Sequence, residues 1–125
     1  MNQEKNAAPA VPLSKAIAAN GFLFISGQLG TIGGELVTTS FTEEVKQVLN
    51  NIEAILSEHK LTFDHVVSIT IYLTDLRRFD ELNLAYGTYF KNRFPTRTCI
   101  AVAALPKLAN VEMTTVACLN LDDIQ

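Results

Sequence analysis

Arg97 enters an otherwise apolar, strand-like stretch directly after Phe94-Pro95-Thr96, and Glu112 lies inside a second such stretch. A charge embedded in a strand is costly to desolvate unless it is paired or used. Two chemistries fit. The first is a salt bridge at a sheet end, with the Glu112 strand paired to the Arg97 strand, and spacing alone favours it. In the second, Arg97 offers its planar fork of donors to a ligand carboxylate in bidentate fashion, and Glu112 orients a water. Cys99, two residues beyond Arg97, shares its strand face and reads more readily as a small buried hydrophobe than as a nucleophile.

The rest of the chain offers little other chemistry. His59 falls in the last turn of a helix, where a cation meets the negative end of the dipole, and His65 reads as a plain strand-start residue. Ser26, Ser68 and the threonines have no histidine in a useful context, which argues against a Ser-His hydrolase. Gly27, Gly30, Gly33 and Gly34 match neither a dinucleotide nor a phosphate-loop fingerprint. Cys99 and Cys118 lack metal-ligand spacing, so no metal site is expected and a reducing, cytoplasmic setting fits. No signal peptide precedes the first periodic segment. A net charge of -3, with the ten basic residues scattered, provides no basic stripe for nucleic acid. Apolar runs such as 21–25 are far shorter than the roughly 20 residues of a membrane span.

These residues need a scaffold, and 125 residues, 48% of them apolar, suffice for one domain with a core. Residues 1–10 read as a loose arm, leaving 11–125 as a single domain. Asn20-Gly21 between apolar segments predicts a tight hairpin, and Gly33-Gly34 a second reversal. Val45, Val48, Leu49, Ile52 and Leu56 recur at helical spacing, behind a Ser40/Glu43 capping box. Strand alternation follows over DHVVSITIYLTD. A second helix is predicted from about Leu76 to Asn92, with Asp75 at its N-cap and Phe79, Leu82, Tyr86, Tyr89 and Phe90 on its buried face. Two strands, TRTCIAVAAL and NVEMTTVACLNL, close the chain. The class is α+β, with two helices on one face of a sheet. The last strands are apolar on both sides, Ile100, Val102 and Ala104 against Cys99, Ala101 and Ala103. At about 25 cal/mol per Å² of apolar area left wet, self-association follows.

At these residues the chain resembles the RidA/YjgF family of imine deaminases. The resemblance rests on SKAIAANGFLFISGQLG, EAILSEHKLTFDHVVSITIYLTDL, FDELNLAY and FPTRTCIAVAALPKLANVEMTTVA, in family order over roughly residues 9 to 120. Pro95-x-Arg97-x-Cys99, with Leu105-Pro106-Lys107 and Val111-Glu112, is its specific part. The resemblance implies a chorismate-mutase-like fold assembled as a homotrimer, with sheets lining a central barrel and sites in clefts between subunits. It implies that Arg97 holds the substrate carboxylate, that Cys99 contributes backbone groups, Gly27 a close backbone contact and Asn83 a polar contact, and that Glu112 holds the hydrolytic water. The implied reaction converts 2-aminoacrylate, 2-iminopropionate and 2-iminobutanoate to 2-keto acids and ammonia, without a cofactor, and protects pyridoxal-phosphate enzymes from these reactive products.

One departure from the family pattern stands out: Val11-Pro12-Leu13-Ser14-Lys15 carries Leu13 where relatives commonly have a tyrosine. That reads as tolerated variation or as a change in substrate range, and Lys15 as a possible extra positive charge near the cleft. Two other functions compete. A non-catalytic trimeric binding protein for 2-keto acids or similar small carboxylates uses the same arginine. An RNA-directed translation inhibitor is disfavoured by the acidic balance and the absence of a basic patch.

Overall fold

The computed structural model describes residues 11–125, so the arm expected over residues 1–10 lies outside the described residues. Asn20 and Gly21 take φ values of 51° and 84°, the left-handed pair that a two-residue hairpin turn requires. They join β1 (Ala16–Ala19) to β2 (Phe22–Leu29). Gly33-Gly34 makes the second expected reversal, between β3 (Thr31–Ile32) and β4 (Glu35–Leu36). Ser40 caps α1 (Phe41–Glu58) by accepting from the Glu43 amide. Only this half of the box forms, since the Glu43 carboxylate turns to Lys46 at 3.6 Å. All five apolar positions of the expected stripe are fully buried. His59 is the C-cap, with Nδ1 3.0 Å from the Ile55 carbonyl, and His65 accepts the Thr62 amide in a small capping box. Both histidines are structural.

β5 (Val66–Leu73) leads into a single 3-10 turn, Leu76–Arg78, where the Asp75 carboxylate accepts from the Arg77 amide, and then into α2 (Phe79–Gly87). The helix expected to reach Asn92 therefore stops at Gly87. Beyond it Tyr89 and Phe90 pack edge-on against Phe63, with centroids 5.7 and 5.2 Å away, and the Tyr89 hydroxyl bonds the Lys46 carbonyl and Asn50 of α1. Those tertiary contacts draw the chain off the helical path. β6 (Thr96–Ala101) likewise ends earlier than its apolar run, and β7 (Val111–Cys118) follows a loop in which Lys107 and Leu108 both hold φ of 59°.

The strands form a five-stranded sheet in the order β1-β2-β7-β5-β6. β5 and β6 run parallel, while the other pairings are antiparallel. This corrects the expected pairing of the Arg97 and Glu112 strands, because β5 separates β6 from β7. The burial patterns give the reason: every other residue of β7 is fully buried and needs neighbours on both sides, whereas β6, largely exposed, serves as an edge. Both helices cover one face, burying Ile69, Ile71, Leu73, Val111, Met113, Leu23 and Ile25 in a single core. Among the described residues nothing covers the opposite face, which keeps Ile17, Phe22, Phe24 and Ile100 exposed. Val102 and Ala104 have already left the sheet.

Candidate active site

The start of β6 is pinned before Arg97 is reached. The Arg93 guanidinium donates to the Asp64 and Val66 carbonyls at 3.0 and 3.1 Å, and the Thr96 hydroxyl donates to Val67 at 2.9 Å. In register with the buried Ile69, Arg97 points to the helix-covered side at the sheet edge. There its guanidinium carbon lies 5.3 Å from the ring centre of Phe79 and 5.0 Å from that of Tyr86, both on α2. Aromatic faces against a guanidinium attract the cation and exclude water while leaving its N–H edge open. Among the described residues Arg97 has no salt-bridge partner. Asn83, one turn from Phe79 on α2, lines the same cavity of about 500 Å³, and its Oδ1 is buried without a hydrogen bond.

Cys99 sits on the same face as Arg97, opposite Ile71. Burial raises its thiol pKa, with the Arg97 charge acting in the other direction. A thiol held protonated is a poor nucleophile. Because β6 is the edge strand, alternate backbone amides and carbonyls along it have no ladder partner and are free for a ligand.

Glu112 pairs with Tyr72 on β5. Tyr72 and Ile69 are three residues apart, so they and their partners face opposite sides of the sheet. Two strand spacings across and three residues along put the Arg97 and Glu112 Cα atoms roughly 14 Å apart, with the sheet between the side chains. The structure thus groups Arg97, Asn83 and Cys99 on one side. Glu112 lies on the other, beside Gly27.

Gly27 belongs to a β-bulge. Ile25 pairs with Thr115 and Gln28 with Met113, so Ser26 and Gly27 together oppose Thr114. A Cβ on Gly27 would lie 2.5 Å from Glu112 Oε2, so the missing side chain is what admits the carboxylate. Glu112 is half-buried, and desolvation raises its pKa above 4.5. A carboxyl so tuned holds its proton more readily and is a stronger base when ionised.

Tyr86 and Phe79 belong to this site, although their apolar spacing places them in the helix core. Tyr86 is indeed 4% exposed, yet among the described residues its hydroxyl has no hydrogen-bond partner. Its pKa is pushed up to about 12 by burial, opposed by Arg97. Phe79, by contrast, is 39% exposed. The available signal was their helical spacing with Asn83, which puts all three on neighbouring positions of α2. Lys15 binds Glu58 at the end of α1 at 3.0 Å, so its charge is already partnered rather than free for the cleft. Leu13 is exposed. Among the described residues, no three His, Cys, Asp or Glu side chains converge as a metal-binding group, and no helix is long and apolar enough to cross a membrane.

The family model described as Endoribonuclease L-PSP matches residues 3–119. A RutC family protein of Aquifex aeolicus is 45% identical over 113 residues, which cover 87% of this chain and 90% of the relative. The human protein named 2-iminobutanoate/2-iminopropanoate deaminase is 40% identical over 108 residues, covering 85% and 79%. YyfA from Yersinia pestis, described as a protein of unknown function of the conserved Rid protein family, superposes with a TM-score of 0.84 at 40% identity, covering 91% of this chain and 94% of its own. With the fold, the motif block around Arg97 and a family match spanning nearly the whole sequence in agreement, the chain belongs to the RidA/YjgF family, that of the endoribonuclease L-PSP proteins.

Proposed function

We propose that the protein hydrolyses 2-imino acids to 2-keto acids and ammonia, in sites shared between subunits of a homotrimer. The observation that carries this reading is Arg97: a guanidinium backed by two aromatic rings, without a salt bridge among the described residues, at the mouth of a cavity. The deaminase name of the human relative at 40% identity supports the reaction. The sheet supports the shared site: Arg97 and Glu112 face opposite ways, so a substrate that touches both sits between two copies. The bare apolar face of Ile17, Phe22, Phe24 and Ile100 supports self-association.

In the proposed mechanism, Arg97 of one subunit holds the substrate carboxylate and so fixes the adjacent imine carbon. Cys99 backbone groups and Asn83 complete its cradle. Glu112 of the neighbouring subunit, given room by Gly27, takes a proton from water as the oxygen bonds to the imine carbon. The carbinolamine nitrogen is protonated, the C–N bond breaks with its electron pair leaving on ammonia, and the keto acid forms. An enamine such as 2-aminoacrylate first takes a proton on its terminal carbon to become the imine.

The test is to generate 2-iminopropionate with an amino-acid oxidase and follow its decay. The wild type accelerates the decay, and Arg97→Ala lowers kcat/KM roughly ten- to hundredfold, the worth of a charge-assisted hydrogen-bonded contact. If the wild type adds nothing to the spontaneous rate while still binding pyruvate, the protein is a binding module for keto acids.

A further inference from the structure

Gly87 is the last residue of α2, and neither of the usual reasons for a glycine applies to it. Its φ is not positive, unlike those of Gly21, Gly33 and Gly34, so it is not a left-handed helix terminator. Nor does crowding exclude a side chain: a Cβ at Gly27 or Gly30 would strike neighbouring atoms within 2.6 Å, whereas one at Gly87 meets nothing within 4 Å. At the end of α2 glycine therefore leaves open space where a side chain would stand.

The direction of that space is set by the helix. Phe79, Asn83 and Gly87 stand at successive four-residue steps on one face of α2, and all three line the cavity that holds Arg97. In a single chain, before a neighbouring subunit closes the shared cleft, the cavity measures about 500 Å³, within the range typical of ligand sites, roughly 300–1,000 Å³. Apart from Arg97 and Asn83 its walls are Phe79, Tyr86 and Phe94-Pro95, and Phe79 and Phe94 are both exposed. A carboxylate on Arg97 leaves that apolar surface uncovered.

We propose that Gly87 is a specificity-determining residue, its missing side chain making room beside Arg97 for the branched or aromatic side chain of a larger 2-imino acid. The inference rests on the deaminase reading and extends it to substrate class. The substrate's carboxylate lies on Arg97, and its side chain runs along α2 between Phe79 and Phe94 towards Gly87.

The experiment compares imines generated by an amino-acid oxidase from alanine, leucine and phenylalanine, with wild type, Gly87→Ala and Gly87→Leu. The wild type should have a higher kcat/KM for the leucine or phenylalanine imine than for the alanine imine. Gly87→Leu should lose roughly tenfold or more on those larger imines, mainly through KM, while the alanine imine changes less than about twofold. Gly87→Ala should be intermediate, and thermal melting of both variants reports folding. Equal changes on all three imines, or a wild-type preference for the alanine imine, overturn the proposal. Calorimetry with pyruvate, 4-methyl-2-oxopentanoate and phenylpyruvate separates the two claims. If no imine is turned over but Gly87→Leu weakens only the larger keto acids, the side-chain pocket stands and the deaminase reading falls. If the variant leaves their affinities unchanged, the pocket assignment falls.

Discussion

At the scale of single residues, two charges and one missing side chain, those of Arg97, Glu112 and Gly27, shape the proposed chemistry. Arg97 and Glu112 were legible in the sequence because each interrupts an apolar strand. That they face opposite ways was not, since strand alternation fixes a face only after the pairing partner is known. Glu112 acts as a base only when ionised, and its pKa is raised above 4.5 by burial. kcat/KM should therefore fall as pH drops through that raised value, with an acidic limb above pH 4.5. Glu112→Gln should abolish the limb and lower the rate roughly 10²- to 10⁴-fold; a pH profile that keeps its limb in this variant assigns it to another group. Gly27→Ala puts a methyl 2.5 Å from Glu112 Oε2. The carboxylate, at the end of a flexible side chain, can move aside, so the fold should survive while kcat drops by tenfold or more, on the order of what a small misplacement costs. Steady-state rates set beside a melting curve check both halves of that statement.

At the scale of elements, the apolar stripe of α1 was legible because regular spacing needs no tertiary information. α2 was not, since its aromatic spacing continues past Gly87 and only the packing of Tyr89 and Phe90 on Phe63 shows where the helix stops. Glu44 escaped notice as well. It is 2% exposed and accepts the Asn110 backbone amide and side-chain amide, each at 2.8 Å. Asn110 in turn accepts the Thr74 amide at 3.1 Å, so this clamp ties the end of β5 to the start of β7, two residues before Glu112. Glu44→Ala leaves both Asn110 donors without their acceptor and should cost about 2–4 kcal/mol in urea unfolding. The same loop carries strain. Leu108 is 89% exposed with φ of 59°, a conformation that burdens a branched residue by about 1–2 kcal/mol. Leu108→Gly should raise stability by up to about 1 kcal/mol, and an unchanged or lowered melting temperature counts against the strain.

At the scale of the whole molecule, the sheet is covered on one face and bare on the other. The need for a partner was legible from strands apolar on both sides, although β6 proved to supply only Ile100 to that bare face. Ile17, Phe22 and Phe24 come instead from β1 and β2, which pairing brings together. Phe24→Glu places a charge in this patch and should break self-association, seen as a shift to monomer in sedimentation, and abolish turnover with it. A monomer that keeps full activity removes the need for a second copy. The shared site has a sharper consequence. In a cyclic trimer every mixed assembly of Arg97→Ala and Glu112→Gln subunits contains one interface with both residues intact. Each variant alone should keep no more than about a tenth of wild-type activity. Equal amounts, co-refolded so that subunits mix at random, should regain about one quarter of wild-type turnover, since three quarters of the trimers are mixed and each has one good site of three. A mixture no more active than its parents, beside an active wild type treated the same way, contradicts a carboxylate held by Arg97 of one subunit and a water held by Glu112 of the next.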